Sequence, residues 1–105
     1  MGMDMYIDRV KRNPNNKLEV IKREEICYWR KFWDLHYALP FKYGDEEYCK
    51  DVPLTKDNVE LVLEFVTHNR DYFDSFHTVE TVCELLDQYD SFKEDGWDIV
   101  YNANW

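Results

Sequence analysis

The stretch YWRKFWDLH, from Tyr28 to His36, combines apolar bulk with ionisable groups more densely than any other part of the chain. It holds five large apolar or aromatic side chains, two cations and a histidine, within about two and a half turns of an α-helix. Placing residues about 100° apart predicts a long first helix from Lys17 to Leu39, capped by Asn15 or Asn16 and ended by Pro40. Its apolar arc contains Leu18, Ile21, Tyr28, Trp29, Phe32, Trp33, Leu35, His36 and Leu39.

Two shorter helices and a strand are predicted downstream. Thr55 is placed to cap a second helix that runs to about Asn69, with Val59, Val62, Leu63 and Val66 on its apolar face. A third helix from about Phe76 to Phe92 turns Val79, Val82, Cys83, Leu86 and Tyr89 inward. After Gly96, alternation from Trp97 to Trp105 predicts a strand, which can pair with a short strand at Tyr48 to Val52.

These elements together predict a mainly α fold. We expect a three-helix domain with a long aromatic first helix and a short C-terminal strand, with a two-stranded ribbon as a variant of that arrangement. The chain has 105 residues, close to the modal size of one domain. We therefore expect residues 1–105 to form a single globular domain, with residues 1–16 flexible or loosely packed.

The charge of the chain is divided between its two parts. The net charge is −9, but residues 1–31 hold eight Lys or Arg against five Asp or Glu, while residues 32–105 hold five against 17. Binding to DNA needs clustered cations, so direct DNA binding is not expected. A partner with a basic surface suits this chain better.

The cysteines and the hydropathy pattern indicate a cytoplasmic protein. Cys27, Cys49 and Cys83 form an odd set without CxxC spacing, which favours reduced thiols. Cys83 falls on an apolar helix face and Cys27 on a solvated one. No apolar run is long enough for a signal peptide or a membrane span, so no membrane association is expected.

Glu25 and His36 are the candidates for chemistry in the first helix. Glu25 falls near the centre of the apolar arc, where a carboxylate must find a hydrogen-bond donor or take up a proton. His36 is either a hydrogen-bonded core histidine or a polar group in an aromatic pocket. The pocket alternative gathers Glu25, Trp29, Arg30, Trp33 and His36 around a nucleotide or immune signal, with Arg30 or Lys31 on its phosphate.

No familiar catalytic or metal-binding motif is present. The cysteines and histidines lack zinc-finger spacing, and no glycine loop for phosphates or nucleophile motif occurs. We therefore assign no catalytic residue, no metal and no cofactor.

Acidic side chains recur on the predicted outer faces of the second and third helices. Carboxylates three or four residues apart on a helix stand about 5–6 Å from each other, close to the spacing of phosphates along a nucleic-acid strand. Such faces are either ordinary solvated surfaces or a charge mimic that occupies a basic groove. The residues concerned are Asp57, Glu60 and Glu64, joined by Asp71, and Glu80, Glu84 and Asp87.

The segment from Glu25 to His36 resembles an uncharacterised family of small bacteriophage and prophage proteins. Tyr28–Lys31, reading YWRK, and the following His36 carry the resemblance, and the ending YNANW is similar in kind. The resemblance implies a phage origin, and small accessory phage proteins often bind host factors, including defence nucleases.

We therefore expect a non-enzymatic phage accessory protein that inhibits a host protein, including a nucleic-acid-directed defence enzyme, through its acidic helix faces. The alternative is a protein that sequesters a nucleotide or immune signal in the aromatic pocket. An uncharacterised enzyme is the third hypothesis.

Overall fold

A computed structural model describes residues 4–30, 32–39, 51–69 and 76–104. The strands are β1 (Asp4–Asn13), β2 (Asn16–Arg30), β3 (Val52–Pro53) and β4 (Trp97–Asn104). The helices are α1 (Trp33–Ala38), α2 (Lys56–His68) and α3 (Phe76–Glu94). The strands form an antiparallel sheet in the order β2-β1-β4-β3.

The fold is mixed α/β, so the prediction of a mainly α domain is wrong. The segment predicted as one helix, Lys17 to Leu39, is instead most of β2 followed by the six-residue helix α1. Strands β1 and β2 form a hairpin, and at its turn the Asn15 N–H donates to Asn13 Oδ1 at 3.0 Å. An asparagine side chain that accepts from the backbone two residues later is a common way to make such a turn.

Bulges in β2 explain why its pattern imitates a helix. Ile26 is skipped where the register steps from Cys27 to Glu25, and Ile21 is skipped where it steps from Lys22 to Val20. Each extra residue moves the inward positions out of strict alternation. The apolar residues of β2 are therefore spaced irregularly, and their positions fit a helical arc as well as they fit a strand.

One face of the sheet packs on the helices and forms the main core. Met5 and Ile7 of β1 are fully buried, and their cross-strand partners Trp29, Cys27 and Tyr101 are buried with them. Residues 1–16 were expected to be flexible or loosely packed, but residues 4–13 form a strand between two others. That expectation is therefore wrong for the described part of this segment.

The predictions of the second and third helices and of the last strand are confirmed. At the start of α2, Thr55 Oγ1 accepts from Asn58 N–H at 3.2 Å, while the Asn58 side chain accepts from Thr55 N–H at 2.9 Å. Gly96 has φ +86° between α3 and β4, a conformation that favours glycine. The core residues of the two helices are Val59, Val62, Val66, Val82, Leu85 and Tyr89.

The predicted pairing of the last strand is correct in part. Val52 pairs with Tyr101, so β3 lies beside β4, but as one edge of a four-stranded sheet rather than in an isolated ribbon. Of the rest of the predicted strand, Asp51 precedes β3 without belonging to it, and residues 48–50 lie outside the described residues.

The other face of the sheet is concave. β2 and β3 are opposite edges, about 14 Å apart in a flat sheet. Arg23 of β2 nevertheless bonds to Asp51, which directly precedes β3. The sheet therefore curls toward this side, which we call the concave face.

Candidate functional site

A polar cleft of about 500 Å³ lies on the concave face. Alternation along β1 puts Tyr6 and Asp8 on this face, opposite Met5 and Ile7. Cross-strand pairing then brings Glu25 of β2 beside Asp8 and Asn102 of β4 beside Tyr6. The cleft is lined by Tyr6, Asp8, Arg23, Glu25 and Asn102.

Arg23 bridges two carboxylates at this cleft. Its Nη1 donates to Asp8 Oδ2 at 2.6 Å and to Asp51 Oδ1 at 3.2 Å, and its Nη2 donates to Asp51 Oδ2. The bonds to Asp51, and then to Asp8, raise the pKa of the Arg23 guanidinium above its ordinary value, against the effect of partial burial. Arg23 therefore stays charged and joins the two edges of the sheet.

Asp8 is the most enclosed carboxylate of the cleft, with 6% of the residue exposed. Arg23 satisfies its Oδ2 atom, but Oδ1 has no hydrogen-bond partner among the described residues. Burying such an acceptor unpaired costs free energy. Asp8 thus has an unused hydrogen-bond acceptor, enclosed by the protein, beside the cleft.

Glu25 is not in the core, contrary to the prediction that it lies at the centre of an apolar arc. It is exposed on the edge strand β2, and no hydrogen bond or ion pair to a described residue is seen for it. The correction follows from the strand geometry, because Glu25 pairs with Asp8 on the concave face and not with the core residues.

Of the five residues of the predicted aromatic pocket, the structure brings Trp33 and His36 into ring contact, with ring centres 6.1 Å apart, and places Glu25 apart from them on the concave face. Trp29 is buried with its ring edge-on to Phe32, and its Nε1 has no hydrogen-bond partner among the described residues. Trp33 is 38% exposed and Arg30 is exposed, while Lys31 lies outside the described residues. Glu25 borders the cleft on the concave face.

His36 is a core residue of α1. Its Nδ1 lies 2.6 Å from the Tyr101 hydroxyl oxygen, and both residues are buried. Burial lowers the pKa of His36 and raises the pKa of Tyr101. Both shifts favour the neutral forms of the two side chains. His36 is therefore a buried, hydrogen-bonded histidine that connects α1 to β4.

A second cleft, of about 410 Å³, separates α3 from β2. Arg9 and Glu24 form an ion pair at its floor, and Glu84 and Phe92 of α3 border it. The Arg9 guanidinium also lies 4.8 Å from the centre of the Phe92 ring and 4.3 Å from that of Trp97. Arg9 already contacts a carboxylate and two aromatic rings. Its charge is therefore not free to bind an anion in this cleft.

The acidic residues predicted to face outward do so wherever the structure describes them. Asp57, Glu60 and Glu64 are exposed on α2, and Glu80, Glu84 and Asp87 are exposed on α3. Asp71 lies outside the described residues. The two helices are tied by Lys56, whose Nζ donates to Asp90 Oδ2 at 2.9 Å.

Cys27 is buried rather than solvated, which corrects its predicted position. It faces Ile7 in the core, and burial raises the pKa of its thiol to about 12. A thiol that stays protonated is a poor nucleophile. Cys83 is partly buried, and Cys49 lies outside the described residues.

The cluster of Asp8, Arg23 and Asp51 is not predicted by any local sequence pattern. The alternation of apolar Met5 and Ile7 with polar Tyr6 and Asp8 does predict a strand, and this signal is present in the sequence. The contact from Arg23 to Asp51 crosses the curled sheet between residues 28 positions apart, so no local pattern encodes it.

Comparison of the chain with protein-family models, with curated proteins and with solved structures gives no match. Within the described ranges, no group of three or more His, Cys, Asp or Glu is placed to hold a metal ion. None of the helices that the structure describes is long and apolar enough to cross a membrane.

Proposed function

We propose that this protein binds a basic surface of a partner protein through the acidic faces of α2 and α3 and acts without catalysing a reaction. The observation that carries the proposal is the exposure of all six carboxylates assigned to these faces, Asp57, Glu60, Glu64, Glu80, Glu84 and Asp87.

The distribution of charge supports this choice of surface. Helices α2 and α3 together contain eight carboxylates and two lysines, a net charge of −6. Strands β1 and β2 contain seven Lys or Arg and five carboxylates, a net charge of +2. A basic partner is therefore attracted toward the helices and away from the hairpin.

The proposed partner class is a host protein that normally binds nucleic acid. Carboxylates one helical turn apart stand about 5–6 Å from each other, so they can occupy positions that phosphates take in a basic groove. The resemblance to small phage proteins makes a host defence enzyme the first member of this class to test.

The test is capture of a partner from a bacterial host lysate, followed by affinity measurement with the purified partner. Replacing the six carboxylates by their amides should weaken binding at least tenfold, because each lost charge contact contributes about 1 kcal/mol or more. Raising the salt from about 0.05 M to about 0.5 M should weaken binding to the unaltered protein as well.

A triple variant on each helix separates the two faces, and the double variant Glu19→Gln with Asp34→Asn is a control for net charge, since both residues are exposed outside α2 and α3. Circular dichroism should show that every variant keeps its fold. Equal capture by the unaltered protein and the six-residue variant would refute the proposal.

A further inference from the structure

The cleft on the concave face has an excess of negative charge. Asp8 and Asp51 both form ion pairs with Arg23. One positive charge thus faces two negative charges, and one negative charge is not balanced. Glu25 adds another, since no ion pair to a described residue is seen for it. Asp8, Arg23 and Glu25 line the cleft with a net charge of −1, and Asp51, bonded to Arg23, adds a second negative charge beside it. The volume of the cleft, about 500 Å³, is within the range of small-ligand sites.

Asp8 supplies a hydrogen-bond acceptor that the fold does not use. The residue is more than nine-tenths buried, it lines the cleft, and its Oδ1 has no partner among the described residues. A ligand that brings N–H donors to this carboxylate would satisfy it. A ligand that brings only acceptors would leave it unpaired.

Glu25 lies directly across from Asp8 in the β1–β2 ladder. Side chains of such cross-strand partners start about 4.5–5.5 Å apart on the same face. Two neighbouring carboxylates are therefore presented, one enclosed and one exposed. A planar group with several donors can bond to both at once, as guanidinium does with carboxylates.

An aromatic wall completes the cleft. The Tyr6 ring lines it and contacts the Tyr28 ring, with the ring centres 5.1 Å apart. Tyr28 is anchored in turn, since its hydroxyl donates to Asp4 Oδ1 at 2.7 Å. A cation that enters beside Tyr6 gains attraction from the ring face as well as from the carboxylates.

We propose that this cleft is a binding site for a guanidinium group, either of a small free molecule or of an arginine side chain in a polypeptide. Arg23 shows the chemistry within the molecule, because its guanidinium already bonds to Asp8 and Asp51. A ligand that replaces Arg23 at Asp8 removes one of the three bonds that Arg23 makes to the two carboxylates, and the two bonds to Asp51 are the ones that remain. This site is distinct from the helix faces of the proposed function and does not depend on them.

The test uses agmatine as a free guanidinium compound and N-butylurea as a planar neutral analogue, each titrated into the full chain by calorimetry and by amide NMR. Agmatine should bind with a dissociation constant below about 1 mM, and butylurea at least about tenfold more weakly. The amide shifts should concentrate on β1 and β2. A short peptide with one arginine, compared with its citrulline form, identifies the source: tighter binding than agmatine assigns the site to a polypeptide, and equal binding assigns it to a free molecule.

Glu25→Gln is the decisive variant, because this exposed residue can change without disturbing the core. It should weaken agmatine binding about tenfold, whereas Glu84→Gln, on the far side of the α3–β2 cleft that Glu25 also borders, should leave it unchanged. The proposal fails if agmatine does not bind at about 10 mM, if butylurea binds equally well, or if Glu84→Gln weakens binding as much as Glu25→Gln. Such a result would not bear on the proposed function of the acidic helix faces, since Glu25 is not one of their six residues.

Discussion

The ionisable side chains of this protein differ in burial and in hydrogen bonding, and these differences separate structural residues from residues that can bind a ligand. His36 is 1% exposed and bonds to Tyr101, so it belongs to the core. Asp8 is nearly as enclosed, yet one of its oxygens has no partner among the described residues. Glu25, its neighbour across the strands, is exposed. Burial alone therefore does not identify a functional group, and Asp8 differs from His36 in that it lines the cleft on the concave face.

Stability should decrease on acidification because of His36. Burial lowers the pKa of this residue below the ordinary 6.5, so below that pH the unfolded chain binds a proton that the folded protein does not. The stability that the neutral, buried His36 contributes is fully present above about pH 6.5. It is lost as the pH falls toward the pKa of His36 in the folded protein, by at most about 1.4 kcal/mol per pH unit.

Denaturant unfolding at about pH 7.5 and about pH 5.5 measures this loss. The variant His36→Gln should reduce the pH dependence, while His68→Gln, at an exposed site on α2, should retain it. An unchanged pH dependence in His36→Gln would show that other groups cause it.

At the scale of elements, β2 differs most from its predicted form. It is 15 residues long, it forms an edge of the sheet, and its register with β1 shifts at three places. Bulges twist an edge strand and make it a poorer template for pairing with another chain. By contrast, α2 has a strong local start signal in Thr55 and Asn58, and its boundary was predictable.

Thr55→Ala should destabilise the protein by about 1 kcal/mol, because the Asn58 N–H loses its acceptor at the start of α2. The midpoint of thermal unfolding should fall by about 4–8 °C for a chain of this size. Thr67→Ala is the matched control on the same helix, since its hydroxyl donates to the Leu63 carbonyl within the helix, and it should change stability by less than about 0.5 kcal/mol. Equal effects of the two substitutions would contradict the capping role.

For the molecule as a whole, the position of β1 decides the organisation. This strand lies between β2 and β4 and pairs with both of them. The helices cover its core face. The basic hairpin and the acidic helices are consequently separate surfaces of one structure. The cleft on the concave face is lined by residues of the hairpin and of β4.

Two isoleucines test this organisation directly. Ile7 is fully buried in β1, whereas Ile21 is 59% exposed at a bulge of β2. Ile7→Ala should cost about 2–5 kcal/mol, and Ile21→Ala less than about 0.5 kcal/mol, as measured by urea unfolding. The helical alternative predicts the reverse order, because it buries Ile21 and leaves residue 7 outside the core.

The sequence by itself determined α2, α3 and the last strand, because caps, helical periodicity and alternation are local signals. It also determined that the helix carboxylates face solvent, since they lie opposite the apolar stripes. It did not determine that Lys17 to Arg30 is a strand, because bulges give that segment a helix-like spacing and only pairing with β1 settles its form. The cluster of Asp8, Arg23 and Asp51 was likewise decided by tertiary structure alone, since curling of the sheet brings together charges that are far apart in the chain.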